Sequence, residues 1–172
     1  MKQIIGIMGP AKATDEQMNN AFELGKYCAE HGYVTLTGGL KAGIMDEALR
    51  GAKEKNGLTV GIMPTDDKSK YSEYIDIPIV TTAKSGRNII EVLTSDVLIA
   101  CGISAGTSSE ISLAIKPGRP IILVGMDDIT NNFYRQLIPS NQLSIVNNYQ
   151  EAIQVIERIF ENEKQKGGGW EL

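Results

Sequence analysis

The stretch that decides the fold is DVLIACGISAGTSSE, residues 96–110. The run Asp96–Cys101 is almost wholly apolar, which is typical of a strand buried on both faces of a parallel sheet. A glycine-containing turn follows, and Gly106–Glu110 then begins an apolar-periodic segment that ends near Lys116. A helix start presents unpaired N–H groups and the positive end of the helix dipole, and both attract anions. The stretch therefore predicts a strand, a turn and a helix that together bind a phosphate.

Alternating strands and helices extend outward from this unit in both directions. The predicted strands are Gln3–Met8, Tyr33–Thr37, Leu58–Met63, Asp96–Cys101, Pro120–Val124 and Leu143–Val146. A further apolar run, Ile75–Val80, is expected to return to the core after a polar surface loop over 64–74. Helices are predicted from the capping box of Thr14 and Gln17, from Gly43, over Gly86–Leu93, over Thr107–Ile115, and from Asn148 to about Glu163.

This pattern defines the fold class. Continuous apolar strands joined by helices predict a parallel sheet with right-handed crossovers and helices on both faces. We expect an α/β, Rossmann-like, doubly wound sheet of about six to seven strands in a single domain, residues 1–163. Residues 164–172 contain three consecutive glycines and Trp170, and we expect them to form a disordered tail.

Composition excludes several function classes. The formal charge of −4 and the pI near 5.1 argue against broad binding to nucleic acid or to an anionic membrane. No apolar run approaches 18 residues and no leader sequence is evident, so we expect a cytoplasmic protein. Two cysteines, Cys28 and Cys101, form no disulfide framework; both are expected to be buried, with Cys101 the more exposed. His31 is expected to cap the end of the first helix, and no metal site is predicted.

Three glycine-containing loops leave the carboxyl ends of predicted strands, where ligands bind in sheets of this type. They contain Gly9, then Gly38, Gly39 and Gly43, and then 102–106. Glycine lets backbone amides approach an anion closely, although glycines also occur in any turn between a strand and a helix. The loops match neither a full dinucleotide fingerprint nor a Walker sequence, so a mononucleotide-sized phosphorylated ligand is the simpler expectation.

Two charged residues add chemistry, and each has two interpretations. Arg87 could bind a phosphate in two-point geometry, or it could pair with Glu91 one helical turn later. Glu110 could face the sugar or the leaving group of a ligand. Alternatively it could close a capping box with Thr107, three residues before it.

At this point two stretches of the chain resemble a known family. They are GGLKAGIMDEALRGAKEKNGLTVGIMP and GRNIIEVLTSDVLIACGISAGTSSEISLAIKPGRPIILVG, and they are similar to the LOG superfamily, long mislabelled as lysine decarboxylases. The resemblance covers roughly residues 3–160 and is strongest for the branch of molybdenum-cofactor carrier proteins. It implies a pocket for a nucleoside monophosphate or a molybdopterin-type cofactor, and no required cofactor. The implied ligand-binding residues are Gly9, Gly38, Gly39, Gly43, Met45, Arg87, Asn88, Ser104, Gly106 and Thr107.

The resemblance also implies an alternative, enzymatic function. Cytokinin-activating members are phosphoribohydrolases with an arginine placed 23 residues before a glutamate, and Arg87 and Glu110 have that separation. In that interpretation Arg87 orients the ligand and Glu110 assists cleavage of the N-glycosidic bond. The chain departs from the hydrolases, however: it has 102–104 as Gly-Ile-Ser where they have Pro-Gly-Gly, Ser109 where they commonly have glutamate, and Asn88 where they have a basic residue. The Arg-Asn pair is similar to the carrier branch, and a homo-oligomer, dimer or tetramer, is implied for either function.

Overall fold

Seven parallel strands form one sheet in the computed structural model of the protein, which describes residues 1–165. The strands are β1 Ile4–Met8, β2 Val34–Thr37, β3 Thr59–Met63, β4 Ile77–Val80, β5 Val97–Cys101, β6 Ile121–Val124 and β7 Leu143–Val146. The helices are α1 Asp15–Glu30, α2 Gly43–Glu54, α3 Asn88–Thr94, α4 Ala105–Ile115, α5 Asp128–Leu137 and α6 Tyr149–Gln165. The strand order is β4-β3-β2-β1-β5-β6-β7, and the predicted Rossmann-like, doubly wound class is confirmed.

The strand order places a crevice at the middle of the sheet. The chain adds strands in one direction from β1 to β4 and in the other from β5 to β7, so β1 and β5 are neighbours at the switch point. Crossovers leave these two strands on opposite faces, and the gap between the loops at their carboxyl ends is the usual ligand position.

Two hydrophobic cores lie on the two faces of the sheet. On one face α1, α2 and α6 pack against inward side chains such as Ile5, Ile7 and Ile99. On the other face α3, α4 and α5 pack against Leu36, Leu98 and their neighbours. The central strands are buried on both faces, which explains their unbroken apolar sequences.

Several helix boundaries follow from their caps. The predicted capping box is confirmed at α1, where the Thr14 hydroxyl accepts from the Gln17 N–H at 3.2 Å and the Gln17 side chain accepts from the Thr14 N–H. His31 ends α1 as expected, with its Nδ1 2.9 Å from the carbonyl oxygen of Tyr27. At α3 the prediction is less accurate, because a 3₁₀ turn at Lys84–Arg87 precedes the helix.

Three other expectations are corrected. Ile75–Val80 does not return to the core: β4 is an edge strand, and its Ile77, Ile79 and Val80 are 41–47% exposed. The Cys101 thiol is as fully buried as that of Cys28, and burial raises the pKa of each to about 12. No helix is predicted between β6 and β7, yet α5 lies there, capped by the Asp127 carboxylate. Its Ile129, Phe133 and Leu137 recur every fourth residue, which is a helical signal that the sequence interpretation missed, and they are exposed in the structure.

The termini and connecting loops add two findings. α6 extends to Gln165, beyond the expected end at Glu163, and the rest of the predicted tail, with Trp170, lies outside the described residues. The polar loop over 64–74 contains a 3₁₀ turn, Lys68–Lys70. None of the helices within residues 1–165 has the length and apolar character needed to cross a membrane.

Candidate functional site

A pocket of about 350 Å³ opens at the carboxyl edge of the sheet, beside the switch point between β1 and β5. The loops after β1, β2, β3 and β5 contribute to it, together with α2, the turn before α3 and the first turns of α4. Its volume lies within the usual range for small-molecule sites. The lining residues are Gly9, Ala11, Leu40, Met45, Pro64, Lys84, Ser85, Arg87, Asn88, Ser104, Gly106, Thr107 and Glu110.

The structure therefore brings together eight of the eleven residues selected from sequence. Gly9, Met45, Arg87, Asn88, Ser104, Gly106, Thr107 and Glu110 line this pocket, whereas Gly38, Gly39 and Gly43 do not. A Cβ on Gly9 would lie 2.5 Å from the Cys101 carbonyl oxygen, so this glycine lets the loops after β1 and β5 converge. Whether the lining residues bind a ligand stays a prediction.

The three other glycines have structural explanations. The Arg87 guanidinium covers Gly38, and a Cβ there would lie 2.3 Å from Arg87 Nη1. Gly39, at φ +69°, packs against the Met63 sulfur, and Gly43, at φ +50°, lies against the carbonyl oxygen of Pro10. These glycines shape the loops from behind the pocket lining, and their predicted part in ligand binding stays a prediction.

The first turn of α4 forms one wall of the pocket. Ser104 caps this helix: its hydroxyl accepts from the Thr107 N–H at 3.2 Å and lies 2.9 Å from the Thr107 hydroxyl. The expected capping box of Thr107 and Glu110 is therefore wrong, because the helix begins one turn earlier. Among residues 1–165, no backbone hydrogen bond uses the N–H of Ala105 or Gly106. These amides and the helix dipole make an environment that favours an anion.

Glycine at position 106 keeps this wall open. The nearest atom to a Cβ built there would be the Ser104 hydroxyl, at 3.7 Å, so no neighbouring group fills the space above the backbone. A ligand oxygen can thus approach the helix start directly. Among Gly38, Gly39, Gly43 and Gly106, Gly106 is the one whose surroundings leave room for the close approach of an anion.

Arg87 forms the opposite wall, and its side chain is only 10% exposed. The two N–H bonds of its Nη1 are shared among three acceptors: the carbonyl oxygen of Gly38 at 2.7 Å, that of Ile62, and the carboxylate of Glu91. All the hydrogen bonds found for Arg87 within residues 1–165 leave from this one nitrogen. The pairing with Glu91 is therefore present, but as a buried interaction that ties α3 to the loops after β2 and β3. Arg87 thus lines the pocket while its Nη1 is committed to interior acceptors.

Glu110 and Glu91 form a buried carboxyl pair behind this wall. Glu110 is 8% exposed and Glu91 is fully buried, and their carboxyl groups are within hydrogen-bonding reach. Burial raises the pKa of Glu110 to about 9, and the neighbouring Glu91 adds to the shift. Burial also raises the pKa of Glu91, opposed by the Arg87 charge. Both effects favour the protonated form of Glu110.

Sequence reasoning missed the turn before Arg87. Lys84 and Ser85 line the pocket, and Lys84 brings a second cation to it. Thr82 and Lys84 have φ values of +52° and +49°, which side chains other than glycine rarely adopt. Such strain gathers at functional sites. The sequence could have indicated a second cation at the site, because Lys84 lies three residues before Arg87. The left-handed backbone at Lys84 could not be predicted, because no sequence pattern marks it at a lysine.

The fold and this pocket define a Rossmann-like α/β protein with a polar site at the carboxyl edge of its sheet. The chain belongs to the SLOG cluster4 family, whose model matches residues 2–153, and this confirms the LOG-like resemblance of the sequence.

Three relatives show how far the similarity extends. The molybdenum cofactor binding protein of Rippkaea orientalis is 43% identical with a TM-score of 0.89, and the match covers 93% of this chain and 98% of that one. The molybdenum cofactor carrier protein of Chlamydomonas reinhardtii is 38% identical with a TM-score of 0.87, over 94% and 99% of the two chains. An uncharacterised protein of Archaeoglobus fulgidus is 38% identical over 129 residues, 71% of this chain and 84% of the other.

Proposed function

We propose that this protein binds and carries a phosphorylated pterin-type cofactor of the molybdopterin class. The observation that carries the proposal is the shared position of two kinds of anion-binding group. The free N–H groups and hydroxyls at the start of α4 lie in the same pocket as Lys84 and Arg87. A phosphate held between them would receive charge-assisted hydrogen bonds, each worth about 1.5–3 kcal/mol.

The rest of the pocket suits a flat ring system. Leu40, Met45 and Pro64 offer apolar surface, and Asn88 adds an amide that can both donate and accept. Small-molecule sites commonly combine an apolar lining with a few polar groups that fix orientation. The similarity to proteins described as binding or carrying the molybdenum cofactor, at 38–43% identity over nearly the whole chain, supports the pterin over a purine nucleotide.

The phosphoribohydrolase alternative receives no such support. A glutamate could take part in N-glycosidic cleavage in either state, because a carboxylate activates water and a protonated carboxyl group protonates the leaving group. The two relatives at 38–43% identity are described by binding and carriage of the molybdenum cofactor.

We also propose that the protein acts in the cytoplasm as a homo-oligomer. Apolar side chains are exposed on α3, at Ile89, Ile90 and Leu93, as well as on the edge strand β4. A second copy of the chain would remove such surface from water. Light scattering after size-exclusion chromatography tests this: we expect a dimer or tetramer, and Leu93→Lys should shift it toward the monomer. A monomeric wild-type protein would contradict the proposal.

A binding experiment tests the cofactor proposal. Molybdopterin cofactor released anaerobically from a purified molybdoenzyme is added to the protein, and co-elution and thermal stabilisation are measured. Ligand at 100 times its dissociation constant should stabilise the fold by about 2.7 kcal/mol. The phosphatase-treated cofactor and AMP serve as comparison ligands.

The variants separate the site from the fold. Ser104→Ala and Lys84→Ala should each weaken cofactor binding. Ser112→Ala changes an exposed serine of the same helix and should leave binding as in the wild type. Equal stabilisation by the dephosphorylated cofactor would refute the phosphate site. Release of adenine from AMP, lost in Glu110→Ala, would instead establish the hydrolase.

A further inference from the structure

Glu91, on α3, has one carboxylate oxygen without a hydrogen-bond partner among the described residues. Its side chain is fully buried, and one oxygen, Oε1, accepts from Arg87. The other oxygen, Oε2, is buried and has no hydrogen-bond donor among the described residues. A buried carboxylate oxygen without a donor is costly, so something must satisfy it.

The group within reach is the carboxyl of Glu110, on the neighbouring helix α4. Two ionised carboxylates in contact inside a protein repel one another, and neither can donate to the other. One proton between them removes both problems. Glu91 is the ionised member because it pairs with Arg87, so the proton resides on Glu110 and is donated to Glu91 Oε2.

The consequence appears on the pocket side of Glu110. Four charged or titratable groups face the pocket or this pair: Lys84 and Arg87 from the turn before α3, Glu91 from α3, and Glu110 from α4. With one shared proton their net charge is +1, and the negative charge lies on Glu91, away from the pocket wall. Without the shared proton the four charges sum to zero, and the ionised Glu110 carboxylate lines the pocket.

We propose that Glu91 is a positioning residue that holds Glu110 as a neutral acid, so that the pocket offers a carbonyl oxygen beside its cations. Such a pocket selects a ligand whose anionic group lies next to an N–H or O–H donor. This deepens the proposed function and rests on it for the ligand class. An ionised Glu110 would repel a phosphate, whereas the neutral acid accepts a ligand hydrogen bond without opposing the phosphate charge.

The first test needs no ligand. The protein is labelled with ¹³C at the glutamate side-chain carboxyls, and each carbon is followed by NMR as a function of pH. The Glu110 signal is assigned by its loss in Glu110→Gln. We expect a titration midpoint near 9 in the wild type, and a lower one in Glu91→Gln, which removes the neighbouring charge and whose amide can donate to an ionised Glu110.

Either of two results overturns the proposal. One is a wild-type midpoint below about 6, which is decisive even if Glu91→Gln fails to fold. The other is a folded Glu91→Gln whose Glu110 midpoint is unchanged. A merely structural Glu91 would alter stability without moving this midpoint.

The second test uses inorganic phosphate as the probe, between about pH 8 and 10, where its charge is nearly constant. Affinity should fall about fivefold or more in the wild type and in Lys84→Arg, which stays charged throughout. It should fall less than about twofold in Glu110→Gln, and an equal fall there would overturn the proposal. If no variant binds phosphate at any pH, the proposed function loses its phosphate site, while the NMR titration still decides the state of Glu110.

Discussion

The two walls of the pocket treat an incoming anion differently. In the α4 wall the Thr107 N–H donates to the Ser104 hydroxyl, whereas the N–H groups of Ala105 and Gly106 make no backbone hydrogen bond among the described residues. The Arg87 wall uses one guanidinium nitrogen for three interior acceptors before any ligand arrives. The comparison teaches that an arginine at a binding pocket can be chiefly a structural residue, while a neutral helix start supplies the open anion site.

The largest effect should follow from removing Arg87. Arg87→Ala leaves the Glu91 carboxylate buried without its cation and the carbonyls of Gly38 and Ile62 without their donor. Breaking a buried ion pair costs about 3–5 kcal/mol of unfolding free energy. Urea denaturation measures this loss.

A matched control is Arg50→Ala, which breaks the partly exposed pair of Arg50 with Glu47. We expect about 0–1 kcal/mol there. If both variants lose the same small amount, Arg87 is not structural, and the contrast between the two walls is wrong.

The next effect is the pH dependence of stability at Glu110. Its pKa is raised from 4.5 to about 9 in the fold, so the folded state keeps a proton that the unfolded chain releases. Unfolding free energy should therefore be highest below about pH 4.5 for this group, and should fall by about 1.4 kcal/mol per pH unit up to about 9. Glu110→Gln removes this dependence.

Thermal denaturation of both proteins between about pH 5 and 8 measures the difference. The melting temperature of Glu110→Gln minus that of the wild type should increase as the pH rises. Parallel curves for the two proteins would show that Glu110 is ionised in the folded state, as an ordinary glutamate is.

A smaller effect is expected at the α4 wall. Ser104→Ala removes the cap of the Thr107 N–H and should cost about 1 kcal/mol, with Ser112→Ala as the neutral control. Phosphate binding should weaken in Ser104→Ala and not in Ser112→Ala. Denaturation and thermal-shift titration measure the two quantities. Unchanged phosphate binding in Ser104→Ala would contradict the role assigned to this wall.

The contrast between the walls also explains what the sequence could predict. The fold could be predicted because buried parallel strands have unbroken apolar sequences. The main errors concerned the helix α5, which was not predicted, and the edge strand β4, which was expected to be buried. Within the site, Ser104, Gly106 and Thr107 could be selected from the sequence, because the strand, the turn and the helix start to which they belong form one contiguous segment. The inward turn of Arg87 was not, because its acceptors belong to residues 38, 62 and 91, which only the folded sheet brings together.

The smallest predicted effect on stability concerns the turn that sequence missed. Lys84 lies at φ +49°, a conformation that glycine adopts without strain. Lys84→Gly should therefore raise the unfolding free energy by up to about 1 kcal/mol. The greater conformational entropy of glycine in the unfolded chain reduces this gain. Phosphate affinity should fall at the same time, because the ammonium group leaves the pocket.

Two controls separate these contributions. Lys84→Ala removes the charge but keeps the strained backbone, so it should lose affinity without gaining stability. Asn56→Gly changes another left-handed residue, at φ +56°, that does not line the pocket, and phosphate affinity should be unaffected. Opposite changes in stability and affinity at position 84 alone would show that the strain serves the site. If Lys84→Gly kept full phosphate affinity, Lys84 would lose its role, and the α4 wall and Arg87 would remain as the anion-binding groups of the pocket.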